Sequence, residues 1–325
     1  MRKREILLAL LGAAALARSA AAQNARKVYR LGVLAQSSRW MEEVGRTLIV
    51  PELARQGFVE GNNLVIDFLG GPDEDLPRLA GEIVDRAPDA ILTVAAPPTR
   101  AVQTRTSTVP IVLYGGQDAV VEGFAETLAR PGRNVTGVVI MSVQLESKRL
   151  QLLHEAVPAI RRVAALLYGG DEPLRARQTE ELQRTAAALG LELQILAVRT
   201  PDDFAPAFAA MVASGAEALL IGANARLFSY RRELLERALA TRLPTVCEWG
   251  SMARDGCLLG YGPDREALYR NAATKLARLF RGAVPADLPI EQPALFTFAV
   301  NLRTARTFGL ELPPAFVARA DEVIE

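Results

Sequence analysis

From Val28 onward the chain alternates short, β-branched apolar runs with segments of helical period, and it does so twice over. No other feature restricts the fold as much, because strand–helix–strand units close on a parallel sheet with helices on both faces. In the first set, strands are expected at 29–34, 64–68, 90–94, 111–114 and 135–140, with helices at 42–56, 75–86, 98–106 and 121–129. Gly57, Pro88, Pro110 and Pro131-Gly132 stand where those helices should stop. The second set places strands at 162–168, 192–198, 218–221, 245–247 and 258–261. Helices are expected at 172–189, 202–214, 229–241 and 249–254, and a long one follows at 264–281. Most strand runs are apolar on both faces, as strands covered from both sides must be.

The junction between the two sets is short. Residues 141–146 lead directly into an amphipathic helix at 145–157, with no Ser/Gly-rich linker. A tight junction of this kind makes two lobes that share a cleft and hinge on a few residues. The expected fold is therefore α/β, with two doubly wound parallel-sheet lobes joined by a hinge. One lobe would comprise 24–143 completed by 263–290, and the other 144–262. The tail, 291–325, begins with a third hinge crossing and is not assigned to a lobe.

The N-terminus has the layout of a secretory signal peptide: basic Arg2-Lys3-Arg4, an apolar run from Ile6 to Leu16, then Ala20-Ala21-Ala22 before Gln23. The expected signal is 1–22, with cleavage after Ala22. Its apolar run is too short to span a bilayer of about 30 Å, and export to the periplasm is the expected destination. Loss of that segment takes the formal charge of +1 slightly negative. Such a chain has no long-range field for polyanions, which argues against nucleic acid as a partner.

Export also raises the question of a disulfide between Cys247 and Cys257. Cys247 ends one expected strand and Cys257 begins the next. As parallel neighbours those strands would hold the residues at opposite ends of the sheet, beyond the roughly 7 Å that a bridge allows, so two free, buried thiols are expected. Metal chemistry is not expected, since no His or third Cys lies near them. The single histidine, His154, sits among apolar helix neighbours and reads as half-buried. No Ser-His-Asp set can be built without it. Gly115-Gly116-Gln117-Asp118 lacks the spacing of a dinucleotide loop and the Lys of a phosphate loop, so no cofactor is expected.

In a doubly wound sheet the loops at the C-terminal strand ends form the ligand crevice. Those loops here are rich in small residues, which let backbone approach a small molecule, and they precede helices with free N–H groups. Ser37, Ser38, Thr99, Gln117, Asn224 and Glu248 are candidate hydrogen-bonding residues there. Trp40, Tyr168 and Trp249 are candidate flat walls. Asp118 and Asp171 stand with Glu248 as the acids at strand ends, and Arg39, Arg100 and Arg226 are candidate partners for an anion. An exported hydrolase using Asp118, Asp171 or Glu248 as acid or base is one alternative that these residues leave open.

Three segments carry a family resemblance: Arg55-Gln56-Gly57-Phe58-Val59-Glu60-Gly61-Asn62-Asn63-Leu64, Leu128-Ala129-Arg130-Pro131-Gly132-Arg133-Asn134-Val135-Thr136-Gly137 and Ala286-Asp287-Leu288-Pro289-Ile290-Glu291-Gln292-Pro293. The tail from Val300-Asn301-Leu302-Arg303-Thr304-Ala305 to Ala320-Asp321-Glu322-Val323-Ile324-Glu325 adds to them. Together they resemble ABC-transporter substrate-binding proteins. The resemblance implies a type I periplasmic binding protein fold that closes on a small molecule, with an amino acid or aromatic carboxylate as ligand. It also implies ABC permease subunits as membrane partners, a monomer, and no catalytic activity. A sensory receptor of the same fold, serving a chemoreceptor or kinase, is the nearest alternative. Family members often show Gly-Thr-Pro-Ala where this chain has Ala96-Pro97-Pro98-Thr99, and Gly-Asp-Pro-Val where it has Gly116-Gln117-Asp118-Ala119. Pro98 removes one N–H from that cleft loop.

Overall fold

A computed structural model describes residues 27–37, 41–116, 118–170 and 172–325. The expected signal peptide lies outside them. The chain forms two sheets. In the first, the strands are β1 (Tyr29–Ala35), β2 (Leu64–Gly70), β3 (Ala90–Val94), β4 (Ile111–Tyr114), β5 (Val135–Val138) and β11 (Ile290–Glu291). Their order is β11-β5-β4-β3-β1-β2, with every pair parallel. The second sheet holds β6 (Arg162–Tyr168), β7 (Glu192–Val198), β8 (Ala218–Ile221), β9 (Thr245–Cys247), β10 (Leu259–Pro263), β12 (Phe296–Asn301) and β13 (Glu322–Ile324). Its order is β13-β12-β10-β9-β8-β6-β7, and only β10 and β12 run antiparallel.

The central strands β3, β4 and β8 are buried at every position, whereas the edge strands β2 and β7 are mostly part-exposed. Runs such as Ile91-Leu92 and Leu219-Leu220 are apolar on both faces because helices cover both faces. Each such side chain contributes about 1.5–3 kcal/mol by leaving water.

The helices of the first half are α1 (Val50–Arg55), α2 (Leu76–Asp85) and α3 (Ala96–Gln103). A π-helical segment, Met41–Ile49, leads into α1. The sequence reads as one helix over 42–56, and the turn changes from π to α at Val50, just before Pro51, whose missing N–H is tolerated in the first α turn. The helix expected at 121–129 does not form. Gly123 takes a left-handed φ of 76°, and the Asp118 carboxylate accepts hydrogen bonds from the N–H groups of Val120 and Val121, closing a turn instead.

The chain passes between the sheets three times. After β5 it enters α4 (Ser142–Ala156), which leads to β6 and to α5 (Glu172–Leu189), α6 (Phe204–Ala213), α7 (Ala225–Ser229), α8 (Arg231–Ala240) and α9 (Ser251–Arg254). After β10 it returns through α10 (Arg265–Phe280), which packs on α1, β3, β4 and β5. There Phe280 joins Tyr29 and Phe58 in a cluster with ring centroids 5.0–5.1 Å apart. After β11 it crosses back, and β12 adds to the second sheet beside β10. The tail left unassigned from sequence ends with α11 (Leu302–Phe308), α12 (Pro314–Val317) and β13 on that second sheet.

The two cysteines are joined, Cys247 to Cys257, with Cα atoms 6.5 Å apart. This corrects the expectation of free thiols. That expectation ran the strand straight on from Cys257, but β10 starts only at Leu259, opposite Val246. An extended lead-in would have set Cys257 roughly 10 Å along the sheet from the level of Cys247. The turn at Asp255-Gly256, with Gly256 at φ 117°, brings it closer.

Candidate functional site

The C-terminal ends of β3 and β4 face those of β8 and β9 across a cleft. The pocket between them holds about 730 Å³ of space free of protein atoms, part of it open to solvent. The first sheet contributes Val94–Ala96, Tyr114–Gly116, Ile140 and Glu122. From the second come Ala223–Ala225, Phe228, Glu248 and Trp249, while Ser142, Leu174, Arg265 and Tyr269 enter from helices.

Its character is aromatic, with one cation, Arg265, and two acids, Glu248 and Glu122. Tyr114 at the end of β4 stacks on Tyr269 of α10, with centroids 4.3 Å apart and planes at 11°. The guanidinium of Arg265 lies over the rings of Phe228, Trp249 and Tyr269 at 4.7, 5.5 and 5.9 Å. Its Nη1 donates to Ser251 Oγ at 3.1 Å. Burial works against this cation, yet Tyr269, Tyr114 and Glu248 hold its pKa above the ordinary value. The position follows from local sequence. Asp264 caps α10 by accepting from the Ala267 N–H at 2.8 Å, so the next residue points into the cleft from the first turn.

Glu248 is the matching acid. Burial pushes its carboxyl up to about 7. Arg149, Arg265 and the Asn224 N–H pull the other way, and Glu146 adds to the rise. Burial also holds the Tyr114 phenol well above 10, with Tyr269 reinforcing the effect.

Beneath the pocket floor, α4 carries an ion pair sealed from solvent. Arg149 Nη1 and Glu146 Oε2 are 3.2 Å apart, with side chains 1% and 0% exposed. Glu146 Oε1 accepts from the Ala223 N–H at 2.7 Å and from Gln178 Nε2 at 2.8 Å. Arg149 Nε donates to the Tyr261 carbonyl at 2.8 Å, and Nη2 donates to that of Glu248 at 3.3 Å. The pair thus ties the loops after β8 and β9 to one helix. Two β10 glycines make the close approach possible. A Cβ at Gly262 would meet the Glu248 carbonyl oxygen, and one at Gly260 would meet that of Trp249.

Of the residues singled out from sequence, Asn224, Glu248 and Trp249 line this pocket. The Asn224 side chain also caps α7, accepting from the Arg226 N–H at 2.7 Å. Pro98 and Thr99 are buried in α3. There the Thr99 hydroxyl pairs with Thr93 at 2.7 Å and donates to the Ala95 carbonyl at 2.8 Å, away from the cleft. Asp118 caps its turn. Ser37 borders a neighbouring polar recess with Gln36, Gly71, Pro72, Arg226, Ser229 and Tyr230. Tyr168 is buried with its hydroxyl on Asp73. Arg100 pairs with Glu122. Ser38, Arg39, Trp40, Gln117 and Asp171 lie outside the described residues.

Sequence reasoning missed Arg265, Tyr269, Tyr114, Phe228 and the Glu146–Arg149 pair. Arg265 was within reach, since it follows the Gly262-Pro263-Asp264 loop by one residue. Among the described residues, no group of three or more His, Cys, Asp or Glu is placed to hold a metal ion. No helix among them is long and apolar enough to cross a membrane.

Two parallel-sheet lobes enclosing a polar–aromatic pocket define a solute-binding architecture of the periplasmic binding protein type I kind. A profile of the family described as ABC transporter substrate binding protein matches residues 48–324, and the chain belongs to that family. It is 22% identical over 266 residues to a tyrosine-binding protein of Clostridioides difficile (strain R20291), covering 81% of this chain and 75% of that protein. The fold is similar to that of an ABC domain in complex with L-Trp from Streptococcus pneumoniae, with a TM-score of 0.82 at 21% identity, covering 92% of this chain and all of that one. It is likewise similar to a conserved domain protein of Vibrio cholerae O1 biovar eltor str. N16961, with a TM-score of 0.83 at 22% identity, covering 91% and 100%.

Proposed function

We propose that this chain is the periplasmic solute receptor of an ABC importer and that it captures an aromatic α-amino acid by hinge closure. The observation that carries this reading is the presence of Arg265 and Glu248 together in one cleft walled by Tyr114, Tyr269, Trp249 and Phe228. Arg265 is a fixed cation suited to a carboxylate, Glu248 is an acceptor suited to an ammonium, and the rings offer flat apolar area for an aromatic side chain. That relatives include a tyrosine-binding protein and an L-Trp complex fits the same chemistry.

The lobes would be 24–143 with 263–290, and 144–262 with the tail on the second sheet, meeting at the three crossings. A solute would touch one lobe in the open form and both in the closed form, so closure is driven by the second set of contacts. Permease subunits in the membrane would then take it from the closed monomer. Removal of residues 1–22 after Ala22 would deliver the chain to the periplasm, where the Cys247–Cys257 disulfide is at home. The receptor would have no turnover of its own, because no described pocket residue pairs a nucleophile with a base.

The test is to purify the chain lacking 1–22, denature it, and identify any released compound by mass spectrometry. Titration calorimetry then follows with L-tyrosine, L-tryptophan and a panel of other amino acids. The expected result is an unaltered amino acid, with binding abolished in Arg265→Ala. Recovery of a chemically changed compound, or wild-type affinity in Arg265→Ala, would overturn the reading.

A further inference from the structure

Among the direct contacts that join the two sheets, two lie at the mouth of the cleft, and neither involves a solute. In the first, Tyr168, the last residue of β6, donates its hydroxyl to Asp73 Oδ2 at 2.8 Å. Asp73 follows β2 of the other sheet, and its Oδ1 is held by Gln36 Nε2 at 2.6 Å. In the second, Glu122, in the turn segment after β4, lies 3.3 Å from Arg177 of α5 and 2.7 Å from Arg100 of α3. Both anions belong to the first sheet and both crossing donors belong to the second. Arg177 and Glu122 also line the open mouth of the cleft, together with Asp73 and Arg100. The Glu122 side chain is only 7% exposed, so water screens it little.

On the receptor reading above, we infer that Tyr168–Asp73 and Arg177–Glu122 form a two-point latch that biases the ligand-free protein toward the closed form and so sets solute affinity through donors, Tyr168 and Arg177, that do not line the solute pocket. A hinge rotation that parts the sheets breaks both contacts together, and closure restores both. A pocket completed only in the closed form binds with its intrinsic constant divided by the closed fraction, so any contact that raises that fraction tightens binding. The donor at Tyr168 is durable. Burial and the Asp73 carboxylate push its phenol up to about 12 against the pull of Arg226, so the hydroxyl keeps its proton at any physiological pH. Asp73 is anchored from its own side by Gln36, so the acceptor is preorganised when Tyr168 arrives.

The experiment compares wild type, Tyr168→Phe, Arg177→Gln and the double variant. It uses small-angle X-ray scattering with and without solute, and calorimetry with L-tyrosine and L-tryptophan as probes. A hydrogen bond to a charged acceptor outweighs a partly exposed ion pair, so the expected losses of affinity are about tenfold for Tyr168→Phe and about threefold for Arg177→Gln. The ligand-free variants should scatter as more extended particles, while all saturated forms coincide with wild type. Ligand-free scattering of the double variant that superposes on wild type would overturn the latch, as would unchanged affinity in Tyr168→Phe. Should that substitution prevent folding, Asp73→Asn removes the charged acceptor while leaving the Tyr168 ring in place, and the same outcomes apply. If wild type binds neither amino acid, the receptor reading for aromatic solutes fails, while the ligand-free scattering still decides the latch.

Discussion

Replacing Arg149 by methionine should destabilise this protein far more than its place on a helix suggests. The guanidinium is 1% exposed, and its ionic partner Glu146 is 0% exposed. Methionine fills similar space but leaves the Glu146 carboxylate buried without its cation, and the carbonyls of Tyr261 and Glu248 lose their donors. Removing one member of a buried pair typically costs about 3–5 kcal/mol. Much of that cost is uncompensated charge, so it should be recoverable. The double variant Glu146→Gln/Arg149→Met retains a group able to accept from the Ala223 N–H and removes the stranded charge. It should therefore lie within about 1–2 kcal/mol of wild type. Urea unfolding followed by circular dichroism, with the slope checked for constancy, measures all three proteins. A single-variant loss below about 1 kcal/mol would refute the reasoning, because the pair would then not be the internal tie described. A double-variant loss equal to the sum of both singles would refute it too, since the two side chains would not be coupled.

Glu248→Gln should change the pH profile. Burial holds this carboxyl near 7, so the fold retains a proton that the unfolded chain releases near 4.5. The stability linked to that proton is fully present below about 4.5 and lost as pH rises through 7. The amide variant should thus gain on wild type by about 3 kcal/mol in unfolding free energy between pH 4 and pH 8, and equal profiles would count against it. Cys247→Ala/Cys257→Ala should lose about 3 kcal/mol, the loop-closure value for a bridge spanning 10 residues, and reducing agent should lower the Tm of wild type but not of this variant. Ala95→Gly should raise stability by about 1 kcal/mol, because Ala95 sits at φ 73°, ψ 176°, a region natural to glycine. A lower Tm for that variant would show that the backbone there is unstrained.

The strands were legible in the sequence because each is a local matter of apolar β-branched runs ended by Gly or Pro, and β3, β4, β6, β7, β8 and β9 fall where those runs lie. The failures also have local causes. Residues 121–129 carry helical spacing, but Gly123 and the Asp118 cap favour a turn, and Phe124 and Ala125 reach the core from that turn rather than from a helix. The Cys247–Cys257 bridge is hidden from the sequence because a strand boundary displaced by one residue, with a turn just before it, decides whether the two Cα atoms stand roughly 10 Å apart or 6.5 Å apart.

The site was legible by address and not by identity. Strand-end reasoning located Asn224, Glu248 and Trp249, since the crevice in a doubly wound sheet is a property of topology. Arg265 and Tyr269 escaped it because they ride on α10, a helix that follows a strand of the second sheet but packs on the first. Only the pairing of distant strands shows that its first turn faces the cleft. The same crossing gives the helix its mechanical meaning. Because α10 is fixed to β3, β4 and β5 while Glu248 is fixed to α4 and β10, Arg265 and Glu248 belong to opposite sides of the cleft. On the proposed hinge-closing receptor, their separation would change as the sheets part, and a solute bridging the two charges would report the closed geometry directly, with no further element needed to couple recognition to closure.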